Sequence, residues 1–214
     1  MSKGMARLGL VAVLLAIGLL GAAPAAQAVS FDLTSDHCTG TCGPTGTVFG
    51  TVTLTQNGAN VDITVSLASG FSWAKTGSAD FQEFKFNGAP SLASITVDQT
   101  FSGQTLAAQT GTFNGDGTGN FTFGIACTTC GNGSLAPLNS NIVFHVAGAT
   151  VAQLTQSNGT NIFVADVFSS LTGNTGPVDA SAPTSTPEPS STLLLSLGLL
   201  GVGVVSRKVA LARG

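Results

Sequence analysis

The strongest constraint on the fold is a regular alternation of apolar and polar side chains across residues 47–67. A period of two is typical of half-buried β-strands. The dipeptide Asn57-Gly58 in the middle favours a two-residue hairpin turn, because both turn positions accept a positive φ. This turn predicts that Leu54 pairs with Val61. The apolar side chains then share one face of the hairpin: Val48, Val52 and Leu54 before the turn, and Val61, Ile63, Val65 and Leu67 after it.

Further short segments have the same strand-like character, and turn residues separate them. A short helical turn is expected at 151–156, and no longer helical stripe occurs between the two ends of the chain. The sequence therefore predicts an all-β fold: a single antiparallel β-sandwich or jelly-roll-like domain over residues 29–177. The additional strands are expected at 81–87, 94–98, 111–113, 120–126, 141–146 and 162–167.

The N-terminus has the three parts of a secretory signal peptide. Lys3 and Arg7 supply positive charge, and an apolar segment follows at 8–21. Ala26 and Ala28 form the small-x-small pattern that signal peptidase accepts. We predict a signal peptide at 1–28 that is cleaved after Ala28; an uncleaved signal anchor is the alternative.

The C-terminus combines a Pro-Glu-Pro motif, an apolar run and a basic end. A linker rich in Pro, Ser and Thr is predicted at 178–186, before this tail at 187–214. A transmembrane helix is predicted over 190–206. Its uncharged run 190–205 would be about 24 Å long, which is short of the ~30 Å hydrocarbon core. Local thinning and snorkelling basic side chains close this gap. The basic residues Arg207, Lys208 and Arg213 place the C-terminus in the cytoplasm.

This order of parts resembles the PEP-CTERM sorting signal of Gram-negative bacteria. The matching positions are the motif Pro187, Glu188 and Pro189, the apolar run 192–205, and the basic pair Arg207 and Lys208. The resemblance implies an exosortase-type membrane enzyme as partner. It also implies a membrane-anchored intermediate in the inner membrane and delivery to the cell surface or extracellular matrix. The chain departs from the pattern by running on past the basic pair. A permanent anchor without processing is the alternative.

The charge balance of the exported part excludes one class of partner. Residues 29–186 carry nine acidic side chains but only two basic ones, Lys75 and Lys85, which gives a net charge of −7. Binding to nucleic acid is excluded because neutralising phosphates requires Lys and Arg. Only 8% of the chain is charged, so Thr, Ser, Asn, Gln and Gly must form much of the surface. Such a surface suits contact with exopolysaccharide.

The four cysteines form two closely spaced pairs, Cys38 with Cys42 and Cys127 with Cys130. An exported protein meets an oxidising compartment, so disulfides are expected. Three pairings are possible, and the two local loops are slightly favoured over crossed pairs. A four-ligand zinc site and a thiol oxidoreductase motif are the alternatives.

Residue patterns for catalysis are scarce. His37 and His145 belong to no HExxH motif, and no GxSxG motif occurs. There is no tyrosine, and Trp73 is expected to pack in the core or in a loop rather than form a sugar-binding platform. The glycine-rich stretch 114–120 is interpreted as a hairpin tip rather than a calcium loop. We predict no catalytic residue, no cofactor and no metal site.

These observations give three hypotheses for the exported domain. The leading one is a non-catalytic structural or interaction component of the envelope or the exopolysaccharide matrix. The second is a lectin-like module that binds a glycan or another surface. The third is a secreted hydrolase, which would need two facing carboxylates.

Overall fold

The computed structural model describes residues 28–76, 81–98, 103–138 and 140–180. Within these ranges the chain forms thirteen β-strands, a short helix α1 (Val151–Leu154) and a 3-10 turn at Leu92–Ser94. The strands are β1 Ala28–Leu33, β2 Ser35–Asp36, β3 Gly50–Asn57, β4 Asn60–Leu67, β5 Phe71–Lys75, β6 Phe84–Phe86, β7 Ile95–Val97, β8 Leu106–Asn114, β9 Asn120–Cys127, β10 Gly133–Leu138, β11 Ile142–Ala147, β12 Phe163–Ser169 and β13 Thr175–Ala180.

The strands form two sheets, and every pair of described strands is antiparallel. Sheet I has the order β1-β3-β4-β11-β7. Sheet II has the order β10-β5-β12-β6-β9-β8, with β13 also paired to β12 and β2 paired to β13. The prediction of an antiparallel all-β fold is confirmed.

The predicted hairpin is present as β3 and β4, but its register differs. Leu54 lies opposite Ile63 rather than Val61, and Asn57 lies opposite Asn60. Gly58 therefore takes the first central position of the turn, with a φ of 59°, as a type II′ turn requires. The predicted apolar face survives, because a shift of two keeps the side-chain phase. Val48 precedes the strand and is 44% exposed.

The inward faces of both sheets share one hydrophobic core. Phe144 of sheet I lies between Phe84 and Phe86 of sheet II, with ring centroids 6.1 and 5.6 Å away. Phe84 also stacks on Phe163 at 5.7 Å. Trp73 packs here, as predicted, and its Nε1 donates to Ser140 O at 2.8 Å. These ring contacts fix the relative positions of strands β6, β11 and β12.

One predicted domain limit is wrong. The expected domain ended at 177 with a linker over 178–186, but β13 continues to Ala180 and pairs with β12. Val178 and Ala180 point into the core and are fully buried. Proline and small residues gave this segment the composition of a linker, although its alternate side chains are apolar.

Several predictions concern residues outside the described ranges. These are the signal peptide up to residue 27, the linker from 181 and the tail 187–214 with its transmembrane helix at 190–206. In the described part of the chain, no helix combines the length and apolarity that a membrane crossing demands.

Candidate functional site

The outward face of sheet II carries buried charges because of strand alternation. Phe84 and Phe86 of β6 enter the core, so Lys85 between them points to the opposite face. Glu83 precedes the strand with the same phase as Lys85. Asp166 of β12 alternates in the same way with core residues. Its N–H donates to Glu83 O at 2.8 Å, which brings these side chains to adjacent positions on one face.

Lys85 and Asp166 form a fully buried ion pair. Lys85 Nζ donates to Asp166 Oδ2 at 2.7 Å, and both side chains have an exposed fraction of 0%. Desolvation raises the pKa of the Asp166 carboxyl, and the adjacent Lys85 only partly opposes this rise. A pair removed from water in this way carries a large desolvation penalty, which its mutual attraction offsets.

Glu83 is a second buried carboxyl beside this pair. Its Oε2 accepts a hydrogen bond from Cys127 N at 2.7 Å, which ties β6 to the end of β9. Burial raises the pKa of Glu83 to about 7, although the Cys127 N–H, Lys75 and Lys85 each act to lower it. Glu83 therefore exchanges a proton near neutral pH.

Two polar atoms next to the ion pair lack a hydrogen bond within the described residues. These atoms are Asp166 Oδ1 and Thr76 Oγ1, and both are buried. Thr76 lies near enough to help lower the pKa of Asp166. Asp166 thus presents one oxygen to an ammonium group and leaves the other without a strong partner.

Both cysteine pairs are local disulfides, the favoured pairing of the prediction. Cys38 is bonded to Cys42, and Cys127 to Cys130. Asp36 fixes the first loop by accepting from Cys38 N at 2.9 Å and from Cys42 N at 2.8 Å. In this oxidised state the sulfurs are not thiolate ligands, so each sulfur–carboxylate cluster retains only one carboxylate, Asp36 or Glu83, as a metal ligand.

The two histidines pair with separate carboxylates. His37 Nε2 lies 2.7 Å from Asp179 Oδ2 beside sheet II, and burial raises the pKa of Asp179. His145 Nδ1 lies 2.7 Å from Asp98 Oδ1 on sheet I, and both side chains are about one-third exposed. The structure therefore does not bring the histidines together as one constellation.

A shallow, neutral polar groove of about 320 Å³ is open to solvent. It is bounded by Asn87, Gly88, Asn120, Thr122, Gln156, Ser157 and Asn158. Two of these amides are already engaged: Asn87 Oδ1 accepts from Thr122 N, and Asn158 Nδ2 donates to Thr118 O. The glycine-rich hairpin tip predicted at 114–120 joins β8 to β9 nearby, where Gly115 N donates to Gly119 O.

The three buried side chains on the outward face of sheet II can react only with one another. Glu83, Lys85 and Asp166 are at most 1% exposed, so a dissolved substrate does not reach them in this conformation. The sequence prediction did not assign these residues to a site. One signal was available: Lys75 and Lys85 are the only bases among nine acids in the exported part, and Lys85 lies between two phenylalanines that indicate a buried strand.

The predicted processing residues lie mostly outside the described ranges. Ala28 is the first described residue and begins β1, where it pairs with Thr55. Ala26 lies outside, as do Pro187, Glu188 and Pro189 of the sorting motif, and the basic residues Arg207, Lys208 and Arg213.

The family model of the PEP-CTERM protein-sorting motif matches residues 185–208. The chain therefore carries this motif, and the resemblance based on Pro187, Glu188 and Pro189 is confirmed. The motif indicates export, processing by an exosortase-type enzyme and membrane-anchored sorting to the cell surface. No curated protein and no solved structure matches the chain significantly.

Proposed function

We propose that the chain is a surface-sorted protein whose β domain is a non-catalytic structural or interaction component of the envelope or the exopolysaccharide matrix. The sorting motif at 185–208 carries this proposal, since it directs the domain to that location. The tail holds the protein in the inner membrane until an exosortase-type enzyme processes it. The domain then functions outside the cell without a cofactor.

The composition of the domain supports this role. The exported part has a net charge of −7 with only two bases, which disfavours anionic partners and keeps the protein soluble. The polar face of sheet I is rich in hydroxyl groups: Ser30 Oγ and Thr53 Oγ1 lie 3.1 Å apart, and Thr51 Oγ1 donates to Asp32 Oδ1 at 3.1 Å. Hydroxyl-rich surfaces of low charge are compatible with hydrated polysaccharide.

The sorting role is tested by replacing Pro187, Glu188 and Pro189 with alanine in the native host. We expect the variant to accumulate in the inner-membrane fraction, while the wild type reaches the cell surface. Pro183→Ala is the matched control, because this proline lies before the matched residues 185–208. Equal surface levels of the motif variant and the wild type would reject the proposal.

The neutral groove favours a second candidate function, a lectin-like one. Its side chains are amides and hydroxyls, and none is charged. Such groups hydrogen-bond neutral sugars without the cost of burying a charge. Gln156 and Ser157 are exposed there and are the side chains best placed for a ligand.

Binding to the host's purified exopolysaccharide by cosedimentation separates the two functions. A lectin-like domain binds it in a saturable manner, and Gln156→Ala weakens the binding several-fold. Thr96→Ala, on an exposed position of sheet I, serves as the control and leaves binding unchanged. If Gln156→Ala and Thr96→Ala bind as the wild type does, the groove is not the glycan site.

A further inference from the structure

The buried pair Lys85–Asp166 has the geometry of two groups placed for reaction. The nitrogen and oxygen atoms are 2.7 Å apart, and the two residues are separated by 81 positions in sequence. They lie on neighbouring strands β6 and β12, which the aromatic core holds in register. Of the ion pairs between described residues, only this one has two fully buried side chains.

We infer that the side chains of Lys85 and Asp166 condense into an intramolecular amide, which covalently joins β6 to β12. The product is a neutral cross-link in the middle of sheet II. The location requires no external enzyme, since both reacting groups and a third titrating group already share one face.

The reaction balances without an oxidant or a co-reactant. A proton passes from the ammonium group of Lys85 to the carboxylate of Asp166, which gives a neutral amine and a neutral acid. The amine nitrogen attacks Cγ of Asp166, a nitrogen–carbon bond forms, and the bond from Cγ to one carboxyl oxygen breaks. That oxygen leaves as one water molecule with two hydrogens that began on the Lys85 nitrogen.

Burial favours each stage of this reaction. A fixed contact between reacting groups replaces a bimolecular encounter, and well-oriented intramolecular reactions reach effective molarities of roughly 10⁵–10⁸ M. Desolvation disfavours the two charges and raises the pKa of Asp166. It therefore lowers the free energy needed to convert the ion pair into the neutral amine and the neutral acid. The amide removes both buried charges and thereby relieves the desolvation penalty of the ion pair.

Glu83 has the properties of the group that moves the protons. It shares the face with Lys85 and Asp166, and its Oε2 is held by Cys127 N at 2.7 Å. With a pKa of about 7, it can give a proton to the leaving oxygen and take one from the nitrogen. Thr76 Oγ1, which has no hydrogen bond within the described residues, is available to stabilise the charge that develops on the remaining carboxyl oxygen.

The test is mass spectrometry of the full chain expressed in its host and digested with pepsin under denaturing conditions. The wild type is expected to yield a fragment that contains both Lys85 and Asp166, with the summed mass of two peptides less one water. Reduction and alkylation of the disulfides beforehand keeps them from contributing to the linkage. Separate Lys85 and Asp166 peptides at full mass would overturn the inference. Loss of water from a peptide that contains Asp166 alone would also overturn it, since that result means cyclisation onto the local backbone.

Two variants test the roles of the residues. Lys85→Arg keeps the positive charge and the pairing but lacks the nucleophilic amine, so it should form no cross-link. After correction for the mass difference between lysine and arginine, the wild-type protein should be lighter than this variant by one water molecule.

Glu83→Gln keeps an acceptor for Cys127 N but cannot exchange a proton, so we expect the cross-link to form at least tenfold more slowly than in the wild type. A rate equal to that of the wild type would reject the role of Glu83. The rates are compared only between proteins whose circular dichroism spectra match, because a variant that does not fold cannot hold Lys85 and Asp166 in contact.

Discussion

The outward faces of the two sheets both carry polar and charged side chains, but these side chains are exposed to solvent on sheet I and buried on sheet II. Sheet I presents hydroxyls and an exposed His145–Asp98 pair to solvent. Sheet II buries the Lys85–Asp166 pair and Glu83 on the corresponding face. Charges on the first face remain hydrated and contribute little to stability, whereas charges on the second depend wholly on their partners. Alternation in sequence thus shows which face is polar, but it does not show which polar face is buried.

The largest effect is expected when the buried pair of sheet II is broken. Relative to wild-type protein in which the pair is still ionic, Lys85→Met removes the cation and leaves Asp166 buried without it, so the free energy of unfolding should fall by about 3–5 kcal/mol. Urea unfolding followed by circular dichroism measures the loss. The double variant Lys85→Met/Asp166→Leu removes both polar groups and should be more stable than Lys85→Met alone. A loss below about 1 kcal/mol for Lys85→Met would contradict the prediction that Asp166 depends on Lys85 to remain buried.

A pH-dependent effect of intermediate size is expected from Glu83. Its pKa rises from 4.5 unfolded to about 7 folded, so the unfolded state releases its proton at a lower pH than the folded state. The contribution of Glu83 to the free energy of unfolding is therefore largest below about pH 4.5. This contribution decreases by about 3 kcal/mol in total as the pH rises to 7.

The measurement is the urea midpoint of unfolding between about pH 4.5 and 7.5. Asp179, whose pKa is also raised by burial, acts in the same direction, and so does Asp166 in protein that has not formed the amide. Glu83→Gln should flatten the profile and leave the smaller contribution of those two residues. A wild-type midpoint that rises with pH over this range would contradict the expected loss of stability.

The smallest effect is expected on sheet I. Asp98→Asn removes the charge that pairs with His145, where both side chains are about one-third exposed. The loss should be about 0–1 kcal/mol and should shrink further in high salt. The same unfolding assay measures it, with Thr112→Ala, at an exposed position of β8, as a control for surface substitution. A loss as large as that of Lys85→Met would remove the distinction between the two sheets.

Much of sheet I could be predicted from sequence because one of its faces is solvated. The hairpin of β3 and β4 followed from the alternation at 47–67, although its register was displaced because Asn57-Gly58 and Gly58-Ala59 are competing turn positions. Strand β11 and the short helix α1 were also found near their predicted places. In each case the local pattern and the tertiary environment agree.

Sheet II was harder to predict because its central strands, β5, β6 and β12, are buried on both faces. Strand β5 has the burial pattern of a central strand rather than an alternating one, and it was not predicted. The last three residues of β13 were assigned to the linker because proline and small residues are frequent in this segment. The contact between Lys85 and Asp166 spans 81 positions, and no local pattern encodes such a partnership. The sorting tail, in contrast, was identified from a compact motif that needs no tertiary information.

Surface delivery is decided by the intact mass of the protein recovered from the cell surface, with and without the host's exosortase-type enzyme. An epitope inserted near Ser181, ahead of the matched residues 185–208, allows recovery of either form. We predict that the native strain gives a surface form without the apolar tail, and that the deletion strain retains the full tail in the inner membrane. An intact tail in both strains would contradict processing of the sorting signal and would identify the segment as a permanent anchor.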